Sequence, residues 1–338
     1  MAEALLRVRD LKVEFATDDG VVTAVDNVSL EIQAGKVLGV VGESGSGKSV
    51  TALTILGLTR GPGARLAGEI LYGGRNLLDL KERQLQRLRG NEIAMIFQDP
   101  MTSMNPVHRV GDQIAETIVI HERVSRSVAR RRAVELLKEV GIPNPRERIE
   151  DYPHQFSGGM RQRAMIAMAL SCNPAILIAD EPTTALDVTI QAQILDLIAR
   201  LQESFGSAVV LITHDLGVVA DIADDVIVMY AGRVIESGTR EQIFNDPQHP
   251  YTWGLLASIP RIDKPRTKRL LPIDGLPPSL IDLPPGCSFA PRCPYVFEAC
   301  QIEPDLGARA GPGHLDRCWL SLRDRAALRN PAAQVSTR

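Results

Sequence analysis

Aromatic side chains make up only 4% of this 338-residue chain, too few for the stacking platforms on which single-stranded nucleic acids are held. A surplus of charge is missing as well. Lys and Arg number 38 against 41 Asp and Glu, a formal net charge of −3, so nothing in bulk attracts nucleic acid or an anionic bilayer. No run approaches the roughly 18 uninterrupted apolar residues that a spanning helix needs. Met1-Ala2-Glu3-Ala4-Leu5-Leu6-Arg7 lacks the basic-then-apolar plan of an export signal. The last two absences predict a protein of the cytoplasm. Five cysteines are an odd number for a secreted disulfide framework. Four of them crowd between Cys287 and Cys318, which suggests a metal. What is present is ordinary for a folded soluble protein, 44% apolar and 23% charged, and the length suits about two domains.

Short runs rich in Val and Ile recur between helical patterns: Val37 to Val41, Ile93 to Phe97, Ala175 to Ala179, Val209 to Thr213 and Val226 to Tyr230. They read as strands buried on both faces, hence an α/β fold with parallel strands. Leu11 to Phe15 and Val28 to Ile32, around Thr17-Asp18-Asp19-Gly20, predict an antiparallel flap. Between about 99 and 160 the strand signal disappears. Val110 to Ile120 and Ser127 to Val140 carry helical spacing, the second ended by Gly141 with Pro143 following, which predicts a helical insertion. From about 245 prolines accumulate, as in Leu276-Pro277-Pro278 and Leu283-Pro284-Pro285-Gly286. A residue that cannot donate a backbone hydrogen bond predicts a loop-rich C-terminal extension there.

Directly after the strand Val37 to Val41 comes Gly42-Glu43-Ser44-Gly45-Ser46-Gly47-Lys48-Ser49, matching G-x-x-x-x-G-K-[ST]. Glycines let backbone N–H groups turn inward as an anion nest, and the following helix points its positive end at the phosphates. Lys48 then reaches the β and γ groups and Ser49 can bind Mg²⁺. A metal so placed needs a carboxylate from a neighbouring strand end, which Ile176-Leu177-Ile178-Ala179-Asp180-Glu181 supplies. Asp180 is assigned to Mg²⁺, and Glu181, one residue farther out, to the attacking water. In Phe156-Ser157-Gly158-Gly159-Met160-Arg161-Gln162-Arg163, a serine and two glycines open a predicted helix from Met160 to Ser171. That is a second anion-binding helix start, or simply a well-capped helix. One chain does not need two phosphate cradles for one nucleotide, so the second is expected to serve another subunit.

These three elements together resemble the ABC-type ATPases from about residue 5 to 240, and imply a P-loop NTPase of ABC type. The resemblance implies ATP held by Gly42, Ser44, Gly45, Gly47, Lys48, Ser49 and Val50. It also implies that Ser157, Gly158, Gly159 and Gln162 face the nucleotide of a second ATPase subunit. Gln98, after the strand Ile93 to Phe97, is similar to the family's Mg²⁺-touching glutamine, and His214 in Leu211-Ile212-Thr213-His214-Asp215 to its γ-phosphate histidine. Thr184-Ala185-Leu186-Asp187 resembles the loop that crosses the dimer contact, with Asp187 its acidic end. Phe15 stands where an adenine-stacking aromatic is expected, although the family more often has tyrosine, and strand aromatics are commonly core.

Asp246-Pro247-Gln248-His249-Pro250-Tyr251-Thr252-Trp253-Gly254-Leu255-Leu256, then Ile259-Pro260, Pro285-Gly286-Cys287 and Pro291-Arg292-Cys293-Pro294, resemble the C-terminal region of oligopeptide- and dipeptide-importer ATPases. Met101-Thr102-Ser103-Met104-Asn105-Pro106 matches that group's entry into the insertion. The resemblance implies an ATPase domain over 1–244 and a peptide-importer region over 245–338. It further implies a partner ATPase of different sequence, two permeases, an extracytoplasmic solute-binding protein, and a peripheral place on the cytoplasmic face of the inner membrane. Nickel chelates or glutathione are alternative solutes. A nucleic-acid-remodelling ATPase is the competing class, disfavoured by the single ATPase cassette and the near-neutral charge. The spacing Cys287-x₅-Cys293-x₆-Cys300-x₁₇-Cys318 lacks the close pairs of zinc modules. It suits a bulkier centre wrapped by loops, and some peptide-importer ATPases bind a [4Fe–4S] cluster through similar cysteines. Zinc, or thiols that only pack, are the alternatives.

Overall fold

A computed structural model describes residues 4–99, 103–184, 187–258 and 273–329. Met101 and Thr102 of the insertion's entry, Ala185 and Leu186 of the dimer-contact loop, and Ile259-Pro260 lie outside the described residues. Twelve strands fall into two sheets among them.

The flap is longer than its apolar runs indicated. β1 (Ala4–Thr17) and β2 (Gly20–Gln33) pair antiparallel, with Thr17 opposite Gly20 across a two-residue turn. β4 (Ala64–Tyr72) pairs with the other edge of β1, and β5 (Arg75–Asn76) with β4, giving the order β2-β1-β4-β5. Leu6, Val8, Leu11 and Val13 of β1 are buried, as are Val25, Val28, Leu30 and Ile32 of β2. Polar residues take the positions between them, which hides the pairing from a search for continuous apolar runs.

The second sheet has the order β11 (Gly307–Gly311), β12 (His314–Asp316), β10 (Arg233–Thr239), β9 (Asp225–Tyr230), β3 (Val37–Val41), β8 (Ala208–Thr213), β7 (Ile176–Asp180), β6 (Ile93–Ile96). Five strands are parallel: β6, β7, β8, β3 and β9. Their boundaries fall within a residue of the five apolar runs. Successive residues alternate between two cores. Val37, Val41, Leu177, Ala179, Val209 and Leu211 face the helices of the insertion and of the sheet's back. Leu38, Val40, Ile176, Ile178, Val210 and Ile212 face the flap. Burial on both sides is why these strands carry no alternating pattern.

The insertion contains helices Val110–Glu122 and Arg126–Glu139, joined through Arg123 in a left-handed conformation and capped by Ser125, whose side chain accepts from Val128 N. Val110, Ile114 and Ile118 on the first, and Ala129, Ala133, Leu136 and Leu137 on the second, form the buried stripe. The helix assigned to Met160–Ser171 runs over Gly158–Ala169. Cys172 lies past its end. It is half-buried, with Sγ 3.9 Å from Thr117 O.

The C-terminal extension holds more regular structure than its prolines indicated. Helix Pro250–Ala257 has its proline at the first position, where no donor is needed. β11 (Gly307–Gly311) and β12 (His314–Asp316) then extend the large sheet antiparallel to β10 (Arg233–Thr239), with Glu236 opposite Asp316. The proline-free stretch from Asp305 to Gly311 is what leaves a ladder possible there. No helix among the described residues is long and apolar enough to cross a membrane.

Candidate active site

The fully buried β3 delivers the chain into the loop Gly42–Gly47, and helix Lys48–Ile55 leaves it. Two glycines are required there. A Cβ on Gly42 (φ +150°) would stand 2.2 Å from Met229 O, and one on Gly47 (φ +99°) 2.6 Å from Ala24 O. The loop is thus pressed against the sheet while Ser44 and Gly45 stay exposed at its tip. Lys48 is 5% exposed, and its Nζ donates to Gly42 O and Glu43 O, both at 2.8 Å. Burial lowers its pKa, opposed by the charges of Glu181, Asp180 and Glu43. A buried ammonium held by backbone carbonyls of its own loop has stronger acceptors to gain in phosphoryl oxygens, so the cradle fits a polyphosphate.

Ser49 Oγ donates to Asp180 Oδ1 at 3.0 Å, so two of the three side chains expected to hold Mg²⁺ meet across helix and strand end, while the third, Gln98, donates to Glu181. Asp180 is buried, and burial raises its pKa, relieved by the Ser49 hydrogen bond. A dication offered to this buried carboxylate would supply the missing countercharge, and the donor set is the hard-oxygen type Mg²⁺ takes.

Glu181 sits one residue beyond β7 with φ +46°, a costly conformation for a non-glycine residue, and its N–H donates to Ile212 O at 2.9 Å. The bend aims its carboxylate at three donors. Gln98 Nε2 reaches Oε2 at 3.0 Å, Thr184 Oγ1 reaches the same oxygen at 2.8 Å, and His214 Nδ1 lies 3.2 Å from Oε1. Gln98, Glu181 and His214 follow the ends of β6, β7 and β8, and the parallel register of those neighbours brings the three together. Burial pushes the Glu181 carboxyl up, but the Thr184 and His214 hydrogen bonds, with the His214 and Lys48 charges, outweigh it and hold it below the usual range. The sequence places Thr184 in the dimer-contact loop and gives no sign of its bond to Glu181. A hydroxyl three residues past a carboxylate is a common turn device and carries no distinct signal.

The remaining assigned residues are more dispersed. Ser157 caps helix Gly158–Ala169, its Oγ accepting from Met160 N at 3.3 Å, and Ser157 and Gly158 are exposed. Gly159 backs onto the next helix, where a Cβ would meet Ile190 at 3.1 Å. Gln162 is 2% exposed, with Nε2 buried and unpartnered, so it points inward instead of sharing the exposed face of Ser157. Asp187 is exposed and caps helix Val188–Phe205, accepting from Ile190 N at 2.9 Å. Phe15 is half-buried, opposite Val22 and Ala64, and leans with Val50 on the flap core.

Cys287, Cys293, Cys300 and Cys318 line a single small apolar cavity with Phe289, His249 and Trp319. Burial pushes the Cys287 thiol to about 12 and Cys293 to about 11, and raises Cys318. Among the described residues no three His, Cys, Asp or Glu side chains are grouped as a metal ion requires. The expected cluster therefore finds its four thiols around one cavity but not drawn into a ligand set.

A mixed sheet with a P-loop at its central strand, an antiparallel flap, a helical insertion and a strand-end carboxylate beside the cradle define an ATP-binding cassette of the ABC class. A family model described as "ABC transporter" matches residues 25–184, and one described as "Oligopeptide/dipeptide transporter, C-terminal region" matches 235–300. The chain is 52% identical to the oligopeptide transport ATP-binding protein OppD of Salmonella typhimurium, over 94% of each chain. It is 52% identical to the dipeptide transport ATP-binding protein DppD of Lactococcus lactis, over 99% of this chain and 96% of the relative. Among solved structures, the ATP-binding cassette MJ0796, a dimer in a post-hydrolysis state bound to ADP and Pi, matches 70% of this chain and 98% of its own, with a TM-score of 0.63 and 29% identity. This chain belongs to the ATP-binding subunits of the oligopeptide/dipeptide branch of ABC transporters.

Proposed function

We propose that the chain hydrolyses ATP to drive import of dipeptides or oligopeptides through separate permease subunits. The observation that carries hydrolysis is the convergence of Gln98, Thr184 and His214 on Glu181, beside Lys48 and the Ser49–Asp180 pair. The C-terminal match over 235–300 carries the choice of peptide cargo. Residues 1–244 carry the ATP chemistry and 245–338 are the part particular to peptide importers.

Gly42, Ser44, Gly45 and Gly47 present backbone donors to the phosphates, and Lys48 exchanges loop carbonyls for phosphoryl oxygens. Ser49, Asp180 and Gln98 would hold Mg²⁺, which would supply charge neutralisation on the phosphates. Glu181 orients the water that attacks the γ-phosphorus, its depressed pKa keeping it an acceptor at neutral pH, and His214 faces the γ-phosphate. Ser157, Gly158 and Gly159 complete the site of a second, different ATPase chain across a head-to-tail contact, and Asp187 lies at that contact. The dimeric state of the solved cassette supports such an arrangement. The assembly docks on two permeases fed by an extracytoplasmic solute-binding protein, at the cytoplasmic face of the inner membrane.

Glu181→Gln tests the chemistry. Binding of ATP is retained, turnover falls at least about a hundredfold, and the variant accumulates as a dimer in ATP on size exclusion. Turnover at the wild-type rate would remove Glu181 from the mechanism. Uptake of labelled dipeptides and longer peptides by cells with and without the gene tests the cargo. The four thiols around one cavity are further proposed to hold a [4Fe–4S] cluster that staples the extension. Iron and acid-labile sulfide at about four each per chain in anaerobically purified protein is the expected result, and absence of both overturns it.

A further inference from the structure

The phosphate loop is gripped by the C-terminal extension. Arg292, at the end of the short turn Ala290–Arg292 and directly before Cys293, reaches Glu43 with both terminal nitrogens: Nη1 to Oε2 at 2.6 Å and Nη2 to Oε1 at 3.0 Å. The Arg292 side chain is 4% exposed and Glu43 29%. Arg292 Nε donates to Asp274 O at 3.0 Å, and its guanidinium lies 5.8 Å from the centre of the Tyr230 ring. Tyr251, fully buried on the extension's helix, accepts the Glu43 backbone N–H on its hydroxyl at 2.9 Å. Tyr230, Tyr251 and Phe289 pack ring against ring behind this contact, at 4.7–5.4 Å between centroids. Glu43 is therefore fixed at its amide by Tyr251 and at its carboxylate by Arg292, while its carbonyl receives Lys48. All three anchors act on the second residue of the nest.

We infer that Arg292 is a positioning residue for ATP binding, holding the phosphate loop in its nucleotide-accepting shape through the bidentate clamp on Glu43. The inference rests on the ATPase reading above. A fixed loop presents its donors without an ordering cost at the moment of binding. With the clamp cut, the loop is free to settle further onto Lys48 and ATP must reopen it. The groups around Glu181 are untouched, so the loss belongs in affinity rather than in the chemical step.

Simple electrostatics makes an opposite forecast for one variant, which separates the two explanations. Arg292→Gln removes a positive charge near the phosphates and weakens ATP on either account. Glu43→Gln removes a negative charge, so a pure field effect would tighten ATP, whereas loss of the clamp weakens it. The measurement is Mg-ATP affinity by calorimetry on the full chain, with kcat and the thermal midpoint followed in parallel. The expected result is about tenfold weaker binding for either variant, with kcat changed less than about twofold and no further loss in the double variant. Arg292→Lys restores only part, because one ammonium cannot reproduce two parallel bonds. Tighter binding in Glu43→Gln, or unchanged affinity with only a lowered midpoint, overturns the inference. If Arg292→Gln fails to fold, the sign of the Glu43→Gln effect still decides. A folded wild-type chain that binds no Mg-ATP overturns the ATPase reading along with it.

Discussion

Glu181 illustrates how much one residue's chemistry depends on its neighbours. The carboxylate is partly buried, which alone would favour its protonated form, yet donors from Thr184 and His214 keep it ionised. Removing one donor shifts that balance in a known direction. Thr184→Val deletes the 2.8 Å hydrogen bond to Oε2, the ionised form loses support, and the pKa rises. The acid limb of kcat against pH is expected to move to higher pH in this variant, with little change near pH 8. An acid limb unmoved or shifted downward would show that Thr184 does not support the base. At the other end of the site Lys48 is discharged more easily than an exposed lysine because burial disfavours its charge. Bound phosphates reverse that effect, so nucleotide binding and lysine protonation support each other.

Among the elements, helix Pro250–Ala257 shows a cap made by an unusual residue. His249 accepts the Tyr251 N–H on Nδ1 at 3.1 Å and is 2% exposed. Burial first, then the Arg325 charge, pushes its pKa down to about 3, so the cap works only as the neutral ring. The unfolded chain takes up this proton as pH falls through about 6.5, the folded chain only near 3. Between those values the unfolded state binds more protons, and unfolding free energy is lost at up to ~1.4 kcal/mol per pH unit from this group. His249→Asn keeps an acceptor for Tyr251 and cannot titrate. Urea titrations from pH 7 to 4 are expected to show a shallower decline for the variant by about one proton; parallel declines would deny His249 this role. The prolines predict a loop-rich chain here, so the sequence shows neither this helix nor that its cap is sealed from water by residues from the far end of the chain.

For the whole molecule, the extension is bound into the ATPase fold rather than hung from it. Glu236 on β10 is fully buried, and its four partners all lie beyond residue 245: Gln248 N (2.5 Å), His249 N (3.0 Å), Thr252 Oγ1 (2.5 Å) and His314 Nε2 (2.9 Å). Tyr251 and Phe289 close the core over Tyr230. A chain cut after residue 244 loses the burial of those two rings alone at a cost of about 3–5 kcal/mol, and uncovers the β10 edge with the buried carboxylate of Glu236 left without those partners. It is expected to have a markedly lower urea midpoint and poor solubility; a truncated chain as stable as the full one would show the extension to be independent. Residue order alone determined the five parallel strands, the phosphate loop, the carboxylate pair Asp180-Glu181 and the helical insertion, since each depends on neighbours a few positions away. Contiguous buried runs and glycine turns are local signals. Only the tertiary structure decided that Gln98, Thr184 and His214 meet on Glu181, that Gln162 turns inward, that β11 and β12 join the large sheet, and that Arg292 grips a loop 249 residues earlier. Each of these depends on strand register or on chain ends meeting in space. Pairing across such distances is fixed by the packing of the whole core, and leaves no periodic trace in the order of residues.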